Sequence, residues 1–105
     1  MEGCLYKSND DKYYLIEQIA MYNFLAVEFV SFTRCFIQNE NFDKKFSLVD
    51  FNSENVKILL ENYCDSYIDY IDYSDLNDFK IITYNRKNYI IENWSDLFDF
   101  VAGQV

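Results

Sequence analysis

Glu54–Asp75, ENVKILLENYCDSYIDYIDYSD, is the stretch on which the reading of the fold turns. At about 100° per residue around a helix, Val56, Leu59, Leu60, Tyr63, Tyr67, Tyr70 and Ile71 gather on one side. Glu61, Asp65, Asp69, Asp72 and Asp75 gather within about 120° of arc on the other. The pattern predicts an amphipathic helix from Glu54 to about Asp75, with a Tyr-bearing apolar face inward and a carboxylate stripe outward. Between Lys57 and Lys80 stand six acids and no base. Like charges four apart on a helix repel by roughly 0.2–0.5 kcal/mol per pair, so a cationic partner would relieve the stripe. Ile68 falls among the carboxylates and Tyr73 on their margin. An apolar group and a ring within an acidic field have the make-up of a binding surface, where aromatics anchor and charge steers. The residues expected to touch a partner are Glu61, Asp65, Ile68, Asp69, Asp72, Tyr73 and Asp75. A solvated helix face carrying one stray Ile is the plainer alternative.

Working outward towards the N-terminus, Asp10 to Tyr22 also reads as helical, with Tyr13, Ile16, Ile19 and Ala20 on one face. Leu25, Phe29, Phe32 and Phe36 give a core stripe for a second helix over 25–38. Asn23 marks a break between the two, or a bend in one long helix. Asn39 to Ser53 reads as a loop ending in a helix cap at Asn52 or Ser53. Residues 19–37 are apolar enough to raise a membrane span, but Asn23, Glu28, Ser31, Thr33 and Arg34 interrupt them well short of the ~18 residues needed.

Towards the C-terminus the period changes. FKIITY (79–84) and YII (89–91) are rich in β-branched and aromatic residues, and the polar 85–88 separates them, so a β-hairpin with a basic tip at Arg86 and Lys87 is expected. Asn93 or Ser95 then caps a short helix over 96–102, with Gly103 as its stop. The expectation is a single α+β domain over 1–105, helix-rich, with three to four helices and a small C-terminal hairpin.

Composition narrows the chemistry. The 105 residues carry 18 acids against nine bases, a net charge of −9, with 20% aromatics, two Gly, no Pro and no His. Without imidazole there is no Ser-His or Cys-His nucleophile and no His-ligated metal. Without Gly-rich loops there is no phosphate cradle. Asp72, Asp75, Asn77 and Asp78 lack the central Gly and the closing Glu of a calcium loop. Cys4, Cys35 and Cys64 are odd in number and widely spaced, which reads as reduced thiols in a cytoplasmic protein. Residues 1–12 lack the apolar stretch of a secretory signal. No cofactor, metal or enzyme activity is expected. A field of −9 repels nucleic acid and anionic membrane and attracts basic protein surfaces.

Leu15-Ile16-Glu17, then Phe24-Leu25-Ala26-Val27-Glu28-Phe29 and on to Arg34, resemble the opening of colicin D-type immunity proteins. In that group an A-[VI]-E-F-like segment opens the second helix, matched here by Ala26-Val27-Glu28-Phe29, and an acidic third helix follows. Tyr22-Asn23-Phe24 stands where the group has small polar residues, and the hairpin lies outside its all-helical pattern. The broader class of acidic α+β immunity proteins, including those of contact-dependent inhibition systems, is the better match. The resemblance implies binding of a basic nuclease toxin domain, with carboxylates standing in for phosphates and the chain monomeric before binding. Two alternatives stay open. One is a phage or viral anti-defence protein that mimics DNA and occupies a CRISPR or restriction effector. The other is a structural subunit that self-associates through exposed aromatics.

Overall fold

In the computed structural model, residues 2–66, 72–76, 79–84 and 86–104 are described. The chain divides into two compact units, residues 1–50 and 51–105. The first is a five-stranded antiparallel sheet built from β1 (Leu5–Ser8), β2 (Tyr13–Ile19), β3 (Asn23–Glu28), β4 (Arg34–Gln38) and β5 (Phe46–Val49). A one-turn helix, α1 (Phe42–Lys45), precedes β5. The strand order is β4-β3-β2-β1-β5: four strands meander, and the fifth returns to pair with the first.

That return requires the sheet to curl. In a flat sheet β4 and β5 would lie ~19 Å apart, at ~4.8 Å per strand. Residues 39–45 join them, and α1 uses four of those residues for only ~6 Å of rise. Phe42, in this crossover, supplies the direct sign of curling. Its ring centroid lies 4.9 Å from Tyr6 on β1, 4.8 Å from Phe24 on β3 and 4.7 Å from Phe46 on β5. Flat, β3 and β5 would be ~14 Å apart, too far for one ring to touch both. Phe42 therefore plugs a concave face whose buried floor is Ile16, Phe24 and Ala26, edged by Tyr6, Tyr14, Cys35, Ile37 and Phe46.

The expected helices over 10–22 and 25–38 are thus strands, and the expected loop over 39–53 holds α1 and β5. The helix-rich α+β class is corrected to a mainly β chain: the described residues form eight strands and three helices. Three physical features explain the misreading. Register places Ile16, Ala26 and Cys35 in one row, and Leu5, Leu15 and Val27 in another on the opposite face. Both rows contribute buried residues, so the strands read as apolar runs rather than as a clean alternation. Register also slips between Ile16 and Gln18, making Glu17 the extra residue of a bulge, and the alternation changes phase there. Finally, the turns lack their usual residues. Asp11, Val30, Phe32, Asn41 and Arg86 take positive φ without being glycine. Asp and Asn tolerate this; Val and Phe do so at a cost, so nothing in the sequence marked the 29–33 turn.

The second unit runs α2 (Ser53–Ser66), β6 (Asp72–Leu76), β7 (Phe79–Tyr84), β8 (Lys87–Ile91) and α3 (Trp94–Gln104), with the strands in the order β6-β7-β8. The hairpin appears as expected, although Tyr84 already pairs with Lys87, so the turn is tighter than the polar 85–88 connection predicted. Both helix starts are legible caps. Asn52 Oδ1 accepts the Asn55 N–H at 2.9 Å, and Asn93 Oδ1 accepts the Asp96 N–H at 2.9 Å. Asp96 Oδ2 in turn accepts the Glu92 N–H at 3.0 Å, one residue before the cap, so a second side chain ties down the start of α3. Among the described side chains, Val56, Leu59 and Leu60 are buried on α2, and Trp94, Leu97, Phe98, Phe100 and Val101 on α3. α3 runs past Gly103, the expected stop, to Gln104.

Candidate functional site

The structure breaks the continuous carboxylate stripe. α2 is described over Ser53–Ser66, and Asp72, Tyr73 and Asp75 lie in β6. Glu61 is exposed on α2, and Asp65 belongs to the same helix. Ile68 and Asp69 fall outside the described residues. Helical angles that grouped Asp72 and Asp75 with Glu61 do not apply in a strand, where positions alternate in twos. Register sets Asp72 opposite Thr83, Tyr73 opposite Ile82 and Asp75 opposite Lys80. The acids remain, shared between a helix and a strand of one unit.

Charge is unevenly divided. Residues 1–50 hold eight acids and five bases, net −3; residues 51–105 hold ten and four, net −6. In the second unit Glu54, Glu61, Glu92 and Asp99 are exposed, as are Arg86 and Lys87 at the hairpin tip.

The same unit contains a groove that sequence reading missed. It measures about 570 Å³ and runs between β8 and α3, lined by Asn88, Tyr89, Ile90, Ile91, Asp96, Asp99, Phe100 and Gly103. Its apolar floor is the Tyr89–Phe100 pair, with ring centroids 4.7 Å apart. Asp96, Asp99 and Gly103 follow helical spacing along its α3 side, so two carboxylates face the same way. No heavy atom lies within 4 Å of where a Cβ on Gly103 would sit, which leaves that end open. On the other side is the edge of the sheet, since β8 is the last of the described strands in its order. Ile90, 58% exposed, is the apolar residue on that edge. The only sequence signal was the pairing of an apolar strand with a helix carrying Asp at i and i+3.

The first unit exposes apolar residues at one end. Met21 and Tyr22, in the β2–β3 turn, are 79% and 75% exposed, and Phe36 on edge strand β4 is 74% exposed. A cleft of about 420 Å³ nearby is lined by Tyr22, Asn23, Gln38, Asn39 and Glu40. The Asn39 N–H donates to the Tyr22 carbonyl at 2.9 Å and ties the crossover to this turn.

Several groups of this unit titrate away from their ordinary values. Burial, with a smaller push from Glu28, raises the Cys35 thiol above its ordinary value, so it stays protonated and weakly nucleophilic. Burial also raises Tyr6 and Tyr14. The hydrogen bond from the Ser8 hydroxyl lowers Asp10, and the Asp11 carboxylate, 3.3 Å away, raises Lys7. Cys4 and Cys35 are free thiols; the side chain of Cys64 lies outside the described residues. Among the described residues, no three His, Cys, Asp or Glu side chains gather as metal ligands, and no helix is long and apolar enough to cross a membrane.

No family model matches this chain, and comparison with curated proteins and with solved structures finds no match.

Proposed function

We propose that this chain is a stoichiometric inhibitor of a cationic, nucleic-acid-handling protein, in the manner of an immunity protein against a nuclease toxin. The observation that carries the reading is the concentration of charge: residues 51–105 hold net −6 of the chain's −9. A protein that grips phosphates presents a basic cleft. An acidic domain entering that cleft gains in encounter rate from charge and in residence time from apolar anchors. The acids need not form one helical ladder for this. A helix and a strand of the same unit can present them from two elements.

The test is capture of partners from a native lysate on the immobilised chain, eluted in steps of salt and identified by mass spectrometry. One basic nuclease recovered at about one to one, released by salt, is the expected result. Neutralising Asp65, Asp69 and Asp72 together is then expected to weaken binding and flatten its salt dependence. Recovery of a multisubunit defence complex would move the role to anti-defence. Absence of any cationic partner at low salt would make the acidity a solubility feature and end the proposal.

A further inference from the structure

We infer that the groove between β8 and α3 takes an extended, basic segment of the partner, which adds to the sheet as a fourth strand beside β8. This deepens the inhibitor reading and rests on it for the sign of the partner's charge; the mode of binding rests on the groove alone.

In a two-residue hairpin the flanking residues exchange hydrogen bonds, and the pattern alternates from there. Tyr84 and Lys87 flank the turn, Tyr89 is opposite Ile82 and Ile91 opposite Lys80. Lys87, Tyr89 and Ile91 therefore direct their peptide groups at β7. Asn88 and Ile90 direct theirs at the open edge, where no described strand pairs with them. That edge borders a groove of about 570 Å³ rather than bare solvent. An incoming strand would find main-chain partners at Asn88 and Ile90 and space for alternate side chains against Tyr89 and Phe100. Strand addition gives affinity through the main chain and selectivity through such alternating pockets.

Charge selects the occupant. Asp96 and Asp99 line the helical side of the groove. Asp96 already receives the Glu92 N–H, while Asp99 is exposed one turn further on. A strand with Arg or Lys at alternate positions would bring its cations beside these carboxylates. An acidic strand would meet like charge in the same place. Natural sheets commonly guard a free edge with a charge or a Pro. Here Lys87 guards only the hairpin end, and Asn88 and Ile90 leave the rest open.

The probe is a blocked heptapeptide alternating valine and arginine, titrated into the full chain and followed by amide NMR shifts. Shifts at Asn88, Ile90, Phe100 and Gly103 are expected. The same peptide N-methylated at alternate residues should bind about tenfold weaker or less, because its outward N–H groups are gone. Ile90→Pro removes an edge N–H, a substitution edge strands accommodate, and should abolish the shifts. Ile90→Thr keeps that N–H and should retain them, with Trp94 fluorescence confirming that both variants fold. Asp99→Asn should weaken binding several-fold. Equal binding of the N-methylated peptide, or shifts confined to scattered acids, would reduce the effect to ion attraction and overturn the inference. If the captured partner binds Ile90→Pro unchanged, the groove is not its site and the inhibitor reading survives. If no partner is captured while the peptide adds to β8, the reverse holds.

Discussion

Residues 1–50 roll a sheet around a ring supplied by their own crossover, whereas residues 51–105 lay α3 along the last strand of a smaller sheet and leave that strand's edge open. The first unit fills its concave face from within: Phe42 touches rings from β1, β3 and β5. It carries a third of the net charge. The second carries the rest and places two of its carboxylates along an unfilled groove. Both sheets have edge strands, β4 and β5 in the first and β8 in the second, but the larger share of the charge and an edge that borders a carboxylate-lined groove belong to the same fifty-five residues.

The largest expected effects would break that contrast. Phe42→Ala should cost ~3–5 kcal/mol, since removing a buried ring that bridges three strands leaves a cavity. Loss of hydrogen-exchange protection at Tyr14, Ile16 and Ala26 is the readout. A cost below ~1 kcal/mol would mean that the sheet does not depend on its crossover. Leu97→Ala, at a fully buried position of α3, should cost ~2–5 kcal/mol, read by denaturant titration of Trp94 fluorescence.

Smaller effects sharpen the contrast at the ends of elements. Asn93→Ala and Asn52→Ala each remove the side-chain acceptor of a helix-start N–H, so each should cost ~1 kcal/mol, read by denaturant titration. Arg86→Gly should move the other way. Arg86 sits at φ 66° with its side chain exposed, and glycine after Asn85 suits the tight hairpin turn. A gain of ~0.5–1 kcal/mol is expected by thermal melting. Alkaline pH should weaken the first unit. Tyr6, Tyr14 and Cys35 are all raised in the folded state, mainly by burial. Their contribution is therefore complete below the ordinary values of 10.0 for Tyr and 9.0 for Cys, and is lost as pH rises through the folded ones. Amide exchange of β1–β3, compared after correction for base catalysis between about pH 8 and 11, should show falling protection. The smallest effect is Glu17→Gln. Its carboxylate meets Arg34 at 3.0 Å, but both groups are accessible to water, so the loss should stay within ~1 kcal/mol.

Legibility differed between the two units for the same reasons that they differ in build. In the second, FKIITY and YII are rich in β-branched and aromatic residues within a short local hairpin, and of the two cap candidates before each helix the structure takes Asn52 and Asn93. The overreach was α2. The helical period was carried as far as Asp75, and the strand at Asp72–Leu76 has Asp, Ser and Asp where a strand signal would have Val or Ile. The site suffered accordingly. Its acids were visible as composition, but their grouping assumed one helix, and the groove was invisible because it joins an edge and a helix face through packing.

By itself the sequence determined the charge and its bias towards residues 51–105, the lack of imidazole chemistry, the hairpin at 79–91 and a pair of cap candidates before each of two helices, though not the two residues by which α3 starts earlier than 96. Each of these is a property of composition or of neighbours within a few positions. Only the tertiary structure decided that YYLIEQI and NFLAVE are strands. Their hydrogen bonds go to other segments, apolar residues occur on both faces, a bulge at Glu17 shifts the phase, and Val30 and Phe32 turn the chain without glycine. A helix closes its hydrogen bonds within itself and so announces its period. A strand borrows its partners from elsewhere in the chain, and local pattern carries no record of them.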